Sequence, residues 1–263
     1  MKISNVILMA CAMACTTAQA ATVSGGSLIL NIDRNALAAG VTLDNTAAPS
    51  IYVEEFFDAT AANRTQTQLL NDNTPLDWSD YAANEISATG LQYAVNGLTI
   101  AVNPGGRQNR PTTLDFDPND LFGTATGSIG LGGVIRFRVD VDRPNNRILM
   151  GDMTLEYHPE LEGASPGRSG WLLVNHIGFD ADAFELFDVA TNLVGNSLTL
   201  TGNLGYGWGI DHLGATDARL SDTRIGNFSF QTTVVPVPAA VWLFAGGLVG
   251  LCRLGRPKER SRL

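Results

Sequence analysis

The sequence predicts an all-β protein whose body is an antiparallel β-sandwich, or a jelly-roll-like variant of one, followed by a single transmembrane helix at the C-terminus. About ten short segments rich in strand-forming residues are separated by clusters of turn residues. Helical periodicity is scarce, which argues against an α/β sheet. Close to the C-terminus, an apolar run is followed at once by basic residues, a pattern typical of a membrane-spanning helix.

The first twenty residues have the parts of a secretory signal peptide. Lys2 precedes a short apolar run over residues 6–15, and Ala18-Gln19-Ala20 supplies a small-residue cleavage site. Cleavage after Ala20 gives a mature chain that starts at Ala21. The alternative is a lipoprotein signal acylated at Cys11.

Residues 21–233 form the predicted exported domain, and this domain is strongly acidic. It contains 11 arginines, no lysine and 25 acids, so its net charge is about −14. Such a surface argues against binding nucleic acid. The cysteines Cys11, Cys15 and Cys252 all lie outside the domain, so we expect its stability to come from its core or from bound ions rather than from disulfides.

The strand signals follow one another along this domain. Residues 134–141 alternate apolar and charged side chains, which predicts a strand with one face in water. Two helical segments are predicted, at 59–70 and near 78–84. The strands are predicted at residues 27–32, 51–57, 98–102, 134–141, 148–157, 171–175, 184–189, 197–203 and 227–234.

One acidic segment resembles the opening of a calcium loop. Asp115, Asp117, Asn119 and Asp120 place oxygen ligands close together in sequence, although the glycine and glutamate of an EF-hand are missing. The alternative is that these side chains cap turns. We therefore expect no cofactor, and calcium is the one ion that this segment would allow.

The sequence offers no recognisable catalytic motif. His158, His176 and His212 show no metal-ligand spacing, although His176 and Asp180 are near enough in sequence to meet. No G-x-S-x-G elbow is present, and the domain has neither cysteine nor lysine for thiol or Schiff-base chemistry. We therefore expect a protein that is not an enzyme.

Tyr206 and Trp208 lie among glycines in the segment Gly205-Tyr206-Gly207-Trp208-Gly209. Exposed rings of this kind stack on sugars, so the pair is the candidate glycan-binding site. The alternative is that both rings share one face of a strand and belong to the core.

The last thirty residues, 234–263, form a separate unit. Pro236 and Pro238 suit the start of a helix, and residues 239–252 contain no charged side chain. Arg253, Arg256 and Lys258 then supply a basic stop, which stays on the cytoplasmic side and leaves the domain outside. The alternative is a helix or strand buried in the globular domain.

This tail resembles the PEP-CTERM sorting signal of Gram-negative bacteria, in the variant that reads V-P-L-P-A-A-x-W-L-F before a small-residue pair and G-L-x-G-L. The matching residues are Val235, Pro236, Val237, Pro238, Ala239, Ala240, Trp242, Leu243 and Phe244, and then 245–251. The resemblance covers about a tenth of the chain. It implies an inner-membrane intermediate, recognition by an exosortase near Pro236–Pro238, and association with extracellular polysaccharide and biofilm.

The two ends of the sequence therefore predict the same destination. We expect a non-catalytic protein of the cell surface or extracellular matrix. The alternatives are a carbohydrate-binding module and, with less support, a glycan hydrolase, for which paired carboxylates are the usual catalysts.

Overall fold

The computed structural model describes residues 20–40, 51–72, 81–100, 102–139, 147–207 and 223–236. Within them, twelve strands pair antiparallel, so the predicted all-β antiparallel class is confirmed. The helices are α1 (Arg34–Gly40), α2 (Gln66–Asn71), α3 (Tyr81–Asn84) and α4 (Leu121–Thr124), with 3₁₀ turns at Ala59–Asn63 and Pro159–Leu161. The strands are β1 (Ala21–Ile32), β2 (Ile51–Phe57), β3 (Leu91–Val95), β4 (Asp115–Phe116), β5 (Ser128–Gly132), β6 (Val134–Val139), β7 (Arg147–Gly151), β8 (Thr154–Tyr157), β9 (Arg168–Asn175), β10 (Ala181–Val194), β11 (Ser197–Tyr206) and β12 (Arg224–Pro236).

The strands form two sheets that share one core. The larger sheet has the order β12-β11-β10-β9-β8-β5-β3-β1-β4, and β12 also pairs with β1, so eight of its strands close into a barrel-like sheet. The smaller sheet has the order β2-β6-β7. Side chains of both sheets, such as Leu28 of β1 and Phe137 of β6, belong to one buried cluster. Two sheets around one core were expected of a sandwich, but closure of the larger sheet was not predicted.

Two places allow the chain to pass between the sheets. The chain leaves β5 for β6 at Gly133, and it returns from β7 to β8 at Asp152. Both residues have a positive φ, 150° at Gly133 and 49° at Asp152, and the Asp152 N–H donates to the Gly133 carbonyl over 3.0 Å. The single strand predicted over residues 148–157 is therefore wrong, because the backbone bends at Asp152 and the two halves join different sheets.

Asp152 is fully buried, and its charge is matched by a buried arginine. Arg107 directs its guanidinium at the Asp152 carboxylate through Nε (2.9 Å) and Nη2. Nη1 of Arg107 also donates to the backbone carbonyls of Ala61 and Arg64. This ion pair thus ties the bend to the loop before β4 and to the 3₁₀ turn after β2.

The charged face of β6 is buried, so the prediction of one face in water is wrong. Ile135 and Phe137 point into the shared core, while Arg136 and Arg138 point the other way and are also buried. α2 packs over this outer face of the smaller sheet, with Leu69 fully buried there. Arg136 and Arg138, together with the buried Arg147 of β7, therefore lie beneath a helix rather than in solvent.

A single carboxylate joins these arginines. Oε1 of Glu54 accepts from Arg138 Nε (2.9 Å) and Arg147 Nη2 (2.7 Å), and Oε2 accepts from Nε of Arg136 and of Arg147, both at 2.7 Å. Burial alone would raise the pKa of Glu54, but the hydrogen bond from Arg147 and the three positive charges outweigh it and lower that pKa.

The same arginines hold the end of α2. Arg136 donates to the Leu69 carbonyl and Arg147 to the Leu70 carbonyl, which are unpaired groups of the last helical turn. At the other end, Thr65 and Gln68 form a capping box, with N–H to side-chain distances of 2.8 and 3.2 Å. These caps give α2 two fixed ends, and the helix predicted over residues 59–70 is therefore divided at this cap.

Two further predictions are settled by the described residues, and a third falls outside them. Residues 98–100 belong to a loop, and Leu98 is 72% exposed, so the strand predicted at 98–102 is wrong. α3 confirms, over Tyr81–Asn84, the helical turns predicted near 78–84, whose first residues lie outside the described ranges. The strands β3, β4 and β5 were not predicted. No helix of the described ranges has both the length and the apolar character that a membrane crossing requires; the predicted helix 239–252 lies outside them.

Candidate functional site

The start of the predicted sorting motif is part of the folded sheet. Pro236 is the last residue of β12 and lies opposite Ala21, the first residue of β1, while Val235 lies opposite Thr22. Pro236 was predicted to begin a helix, and it ends a strand instead. The remaining motif residues (Val237, Pro238, Ala239, Ala240, Trp242, Leu243, Phe244) and the basic stop (Arg253, Arg256, Lys258) lie outside the described residues, as do residues 1–19.

The candidate glycan-binding pair does not form an exposed surface at Tyr206. Its ring is fully buried, and its hydroxyl donates to the Leu37 carbonyl of α1. The flanking glycines serve packing instead of exposure: a Cβ on Gly205 would overlap the Phe187 ring. Tyr206 therefore follows the core alternative, and Trp208 lies outside the described residues.

The acidic segment of the predicted calcium loop is occupied with turn capping. Oδ1 of Asp117 accepts from the Asn119 N–H (2.9 Å) and from Asn119 Nδ2 (3.0 Å), and Oδ1 of Asp120 accepts from the Gly123 N–H at the start of α4. Asp115 contributes its backbone to a bridge with Thr126. Across the part of the chain that the structure describes, no group of three or more His, Cys, Asp or Glu side chains is arranged to hold a metal ion. Calcium binding here stays a prediction.

The most extended set of titratable groups lies instead on the outer face of β8. Because side chains alternate along a strand, Thr154 and Glu156 share one face, while Leu155 of the same strand is in the core. His158 follows β8 directly. Thr154 pairs with Val174 of β9, which brings His176 beside it. The histidine–carboxylate chain consists of Asp180, His176, Thr154, Glu156, His158 and Glu160.

Each member of the chain lies within hydrogen-bonding distance of the next. Asp180 Oδ1 is 2.8 Å from His176 Nδ1, and His176 Nε2 is 2.8 Å from Thr154 Oγ1. The Thr154 hydroxyl donates to Glu156 Oε1 over 2.6 Å. Glu156 Oε2 is 3.2 Å from His158 Nε2, whose Nδ1 is 3.1 Å from Glu160 Oε1. The His176–Asp180 contact that the sequence left open is therefore present.

The contacts place an oxygen beside every imidazole nitrogen. Glu156 accepts from the Thr154 hydroxyl. The two nitrogens of His176 face Asp180 and Thr154, and those of His158 face Glu156 and Glu160.

Burial and the neighbouring carboxylates act in opposite directions on the pKa of His158. Burial would lower the pKa of His158, but hydrogen bonds to Glu160 and Glu156, together with their charges, raise it. Asp182 of β10 is near enough for these charges to act on it. Burial raises the pKa of Asp182, against the opposing influence of His158 and Arg168.

The histidine–carboxylate chain is separate from the cavity lined by α1. A cavity of about 790 Å³ lies elsewhere, between α1 and residues 85–89, where Arg34 and Glu85 form a 2.8 Å ion pair. None of the six residues of the histidine–carboxylate chain lines this cavity. The histidine–carboxylate chain could not be predicted from the sequence, because Thr154 and His176 are brought together only by the register between β8 and β9. No protein-family model matches this sequence, and no curated protein or solved structure matches it either.

Proposed function

We propose that this chain is an exported, non-catalytic protein of the cell surface or extracellular matrix of a Gram-negative bacterium. A cleaved signal peptide directs export. A PEP-CTERM-like tail, with a transmembrane helix over 239–252, holds the domain outside the inner membrane until an exosortase-type enzyme acts near Pro236–Pro238. After processing, we expect the protein to associate with extracellular polysaccharide.

One observation carries this proposal. β1 begins at Ala21, where the predicted signal peptide ends, and β12 ends at Pro236, where the predicted sorting motif starts. The two residues are direct partners in the sheet. Removal of residues 1–20 and of the segment after Pro236 would therefore leave every described strand pairing intact, as a protein processed at both ends requires.

The chemistry of the domain agrees with a non-catalytic role. The titratable chain on β8 lies on a sheet face and not in the large cavity, whereas enzymes surround their reacting groups. The acidic domain repels anionic membranes and nucleic acid. Glycan binding is the alternative function, and it now depends on Trp208, because Tyr206 is buried.

The test is the intact mass of the protein recovered from its host, from membranes and from the extracellular fraction separately. We expect an extracellular species that begins at Ala21 and ends near Pro236–Pro238. A Pro238→Ala variant should accumulate in the membrane with residues 253–263 retained. Thr201→Ala, at an exposed position of β11, is the matched control and should be processed like the wild type. A native protein that keeps residues 253–263 and stays in the membrane would refute processing.

Catalysis and glycan binding are tested on the same material. Purified protein should leave matrix polysaccharide at its original chain length, and measurable cleavage would overturn the non-catalytic assignment. Tryptophan fluorescence that changes with added polysaccharide, and no longer does so in Trp208→Ala, would establish the binding alternative instead.

A further inference from the structure

β10 extends well beyond the strand on one side of it. Pairing with β9 ends at Phe187 opposite Arg168, and the Asp188 N–H then donates to the Gly167 carbonyl over 2.7 Å. A bulge follows at Asp188, whose φ is 52°. Residues 189–194 continue beside β11 alone, and no strand of the described ranges lies along their other side. These six residues are called the β10 edge.

The turn between β10 and β11 shows which backbone N–H and C=O groups of the β10 edge are not hydrogen-bonded to β11. Val194 lies opposite Ser197 and closes the two-residue turn Gly195–Asn196, in which Gly195 has a φ of 58°, as the first position of a type II′ turn requires. The closing pair of such a hairpin is hydrogen-bonded, and hydrogen-bonded pairs alternate along antiparallel strands. Val189, Thr191 and Leu193 therefore direct their N–H and C=O groups away from β11.

The composition of this edge is unusual for an exposed one. Natural sheets protect free edges with charged residues or proline, and residues 189–194 contain neither. The domain around it carries a net charge of about −14, which disfavours contact between copies at most other surfaces. The β10 edge is thus a neutral strip, about 20 Å long at 3.4 Å per residue.

We propose that the β10 edge binds the β10 edge of a second copy of this chain, antiparallel and about a two-fold axis at Thr191. The outward groups at 189, 191 and 193 fix this register, because a two-fold axis then places Val189 opposite Leu193 of the second copy and Thr191 opposite itself. Three hydrogen-bonded pairs form in this way. The result is one sheet that continues through both copies.

The side chains fit this register. Val189 and Leu193 are partly buried and pack against the core on the inner face of the sheet, so pairing joins them across the axis and covers their exposed parts. Between them lies Thr191, whose Oγ1 is buried and has no hydrogen-bond partner among the described residues. Opposed threonines on neighbouring strands hydrogen-bond to each other. The axis therefore supplies the partner that this hydroxyl lacks within one copy.

Cysteine cross-linking of the full chain in detergent tests the register. Cys11, Cys15 and Cys252 are first replaced by alanine, so that an introduced cysteine is the only thiol. Thr191→Cys should oxidise to a disulfide-linked dimer, because directly opposed residues of a hydrogen-bonded pair have Cα atoms about 5.5 Å apart. Leu193→Cys is the matched control on the same strand and face: its copies lie about 14 Å apart in this register.

Each outcome decides the matter. Efficient cross-linking of Thr191→Cys, with little in Leu193→Cys, supports the proposal, and the double variant Val189→Cys with Leu193→Cys should then cross-link as well. Equal cross-linking at 191 and 193 would overturn the register. Absence of cross-linking at 191, with the free thiol protected from a small alkylating reagent, would mean that another part of the same chain covers the edge, and this also overturns the proposal.

A charge variant tests the association without oxidation. Thr191→Lys places like charges opposite each other at the axis, whereas Thr201→Lys adds the same charge at an exposed position of β11, opposite Ala190 and one strand inside the edge. In sedimentation over a concentration series, we expect Thr191→Lys to raise the dimer dissociation constant about tenfold or more. The control should match the wild type. Equal association of both variants would overturn the proposal.

Discussion

Glu54→Gln should strongly destabilise this protein. The Glu54 side chain is 5% exposed and accepts four hydrogen bonds from Arg136, Arg138 and Arg147, each of which is at most 2% exposed. The variant keeps the shape of the side chain but removes the negative charge. Among the described residues, the carboxylate that is then left beside these buried guanidinium groups is Glu55, which contacts Arg136.

The magnitude follows from the cost of leaving charge buried without its counter-charge. Removal of one partner from a buried ion pair costs about 3–5 kcal/mol. For a domain of this size, 1 kcal/mol shifts the melting temperature by about 2–4 °C, so a decrease of about 10 °C is expected. The end of α2 should loosen too, since Arg136 and Arg147 hold its last carbonyls.

Glu55→Gln is the matched control on the adjacent residue. Glu55 is 29% exposed and contacts Arg136 alone among the three arginines. Burial raises the pKa of Glu55 in spite of the Arg136 charge, which means that folding makes the ionised form of Glu55 less favourable than it is in the unfolded chain. We expect this variant to lose about 1 kcal/mol or less.

The assay is urea unfolding at two pH values. The pKa of Glu54 is lowered by folding, so its charge stabilises the fold above the ordinary glutamate pKa of about 4.3, and this stabilisation is lost as the pH falls through the lowered value. The gap between wild type and Glu54→Gln should therefore be widest near pH 7 and should narrow in acid. Equal losses in Glu54→Gln and Glu55→Gln, or a gap that does not depend on pH, would refute the reasoning.

Three further outcomes are expected. Arg107→Met should cost about 3 kcal/mol or more in urea unfolding, because the fully buried Asp152 loses its counter-charge; a loss below 1 kcal/mol would mean that the bend is held by its backbone alone. The pKa of His158 is raised, so its imidazolium stabilises the fold fully below the ordinary histidine pKa of about 6.5 and ceases to do so as the pH rises through the raised value. An NMR titration should show the pKa of His158 falling in Glu160→Gln, and an unchanged value would contradict the assigned contact. Tyr206→Phe should cost about 1 kcal/mol in the same unfolding assay, because the Leu37 carbonyl loses a buried donor; a neutral result would show that water replaces the hydroxyl.

Local patterns predicted the strands that depend on few distant contacts. β2 has the bounds predicted for it, Ile51–Phe57, because its apolar and β-branched residues are a strong local signal. β5 was missed since its sequence Ser-Ile-Gly-Leu-Gly contains two glycines, which weaken a strand pattern. Gly130 is nevertheless required by packing: a Cβ there would overlap the Arg110 carbonyl. A contact with a distant loop is not visible in the local pattern.

The same limit explains the errors about charge and exposure. The alternation in β6 was recognised, but its charged face is buried because Glu54 lies 82 residues from Arg136 in sequence and directly beside it in the sheet. Tyr206 was placed among glycines, and only the fold shows that Phe187 occupies the space they leave. The positions of strands were therefore predicted better than the burial and the contacts of the side chains on each face of a strand.

The pairing of β1 with β12 has a consequence for the time at which the protein can fold. Ala21 and Pro236 are neighbours in the sheet but 215 residues apart along the chain. The first strand to emerge from the ribosome or a translocation pore has to wait for the last one before the sheet closes. Such non-local pairing slows folding. In the export that we propose, slow closure of the sheet would keep the polypeptide unfolded while it crosses the membrane, and the order of the strands would delay the final structure until the whole domain has crossed.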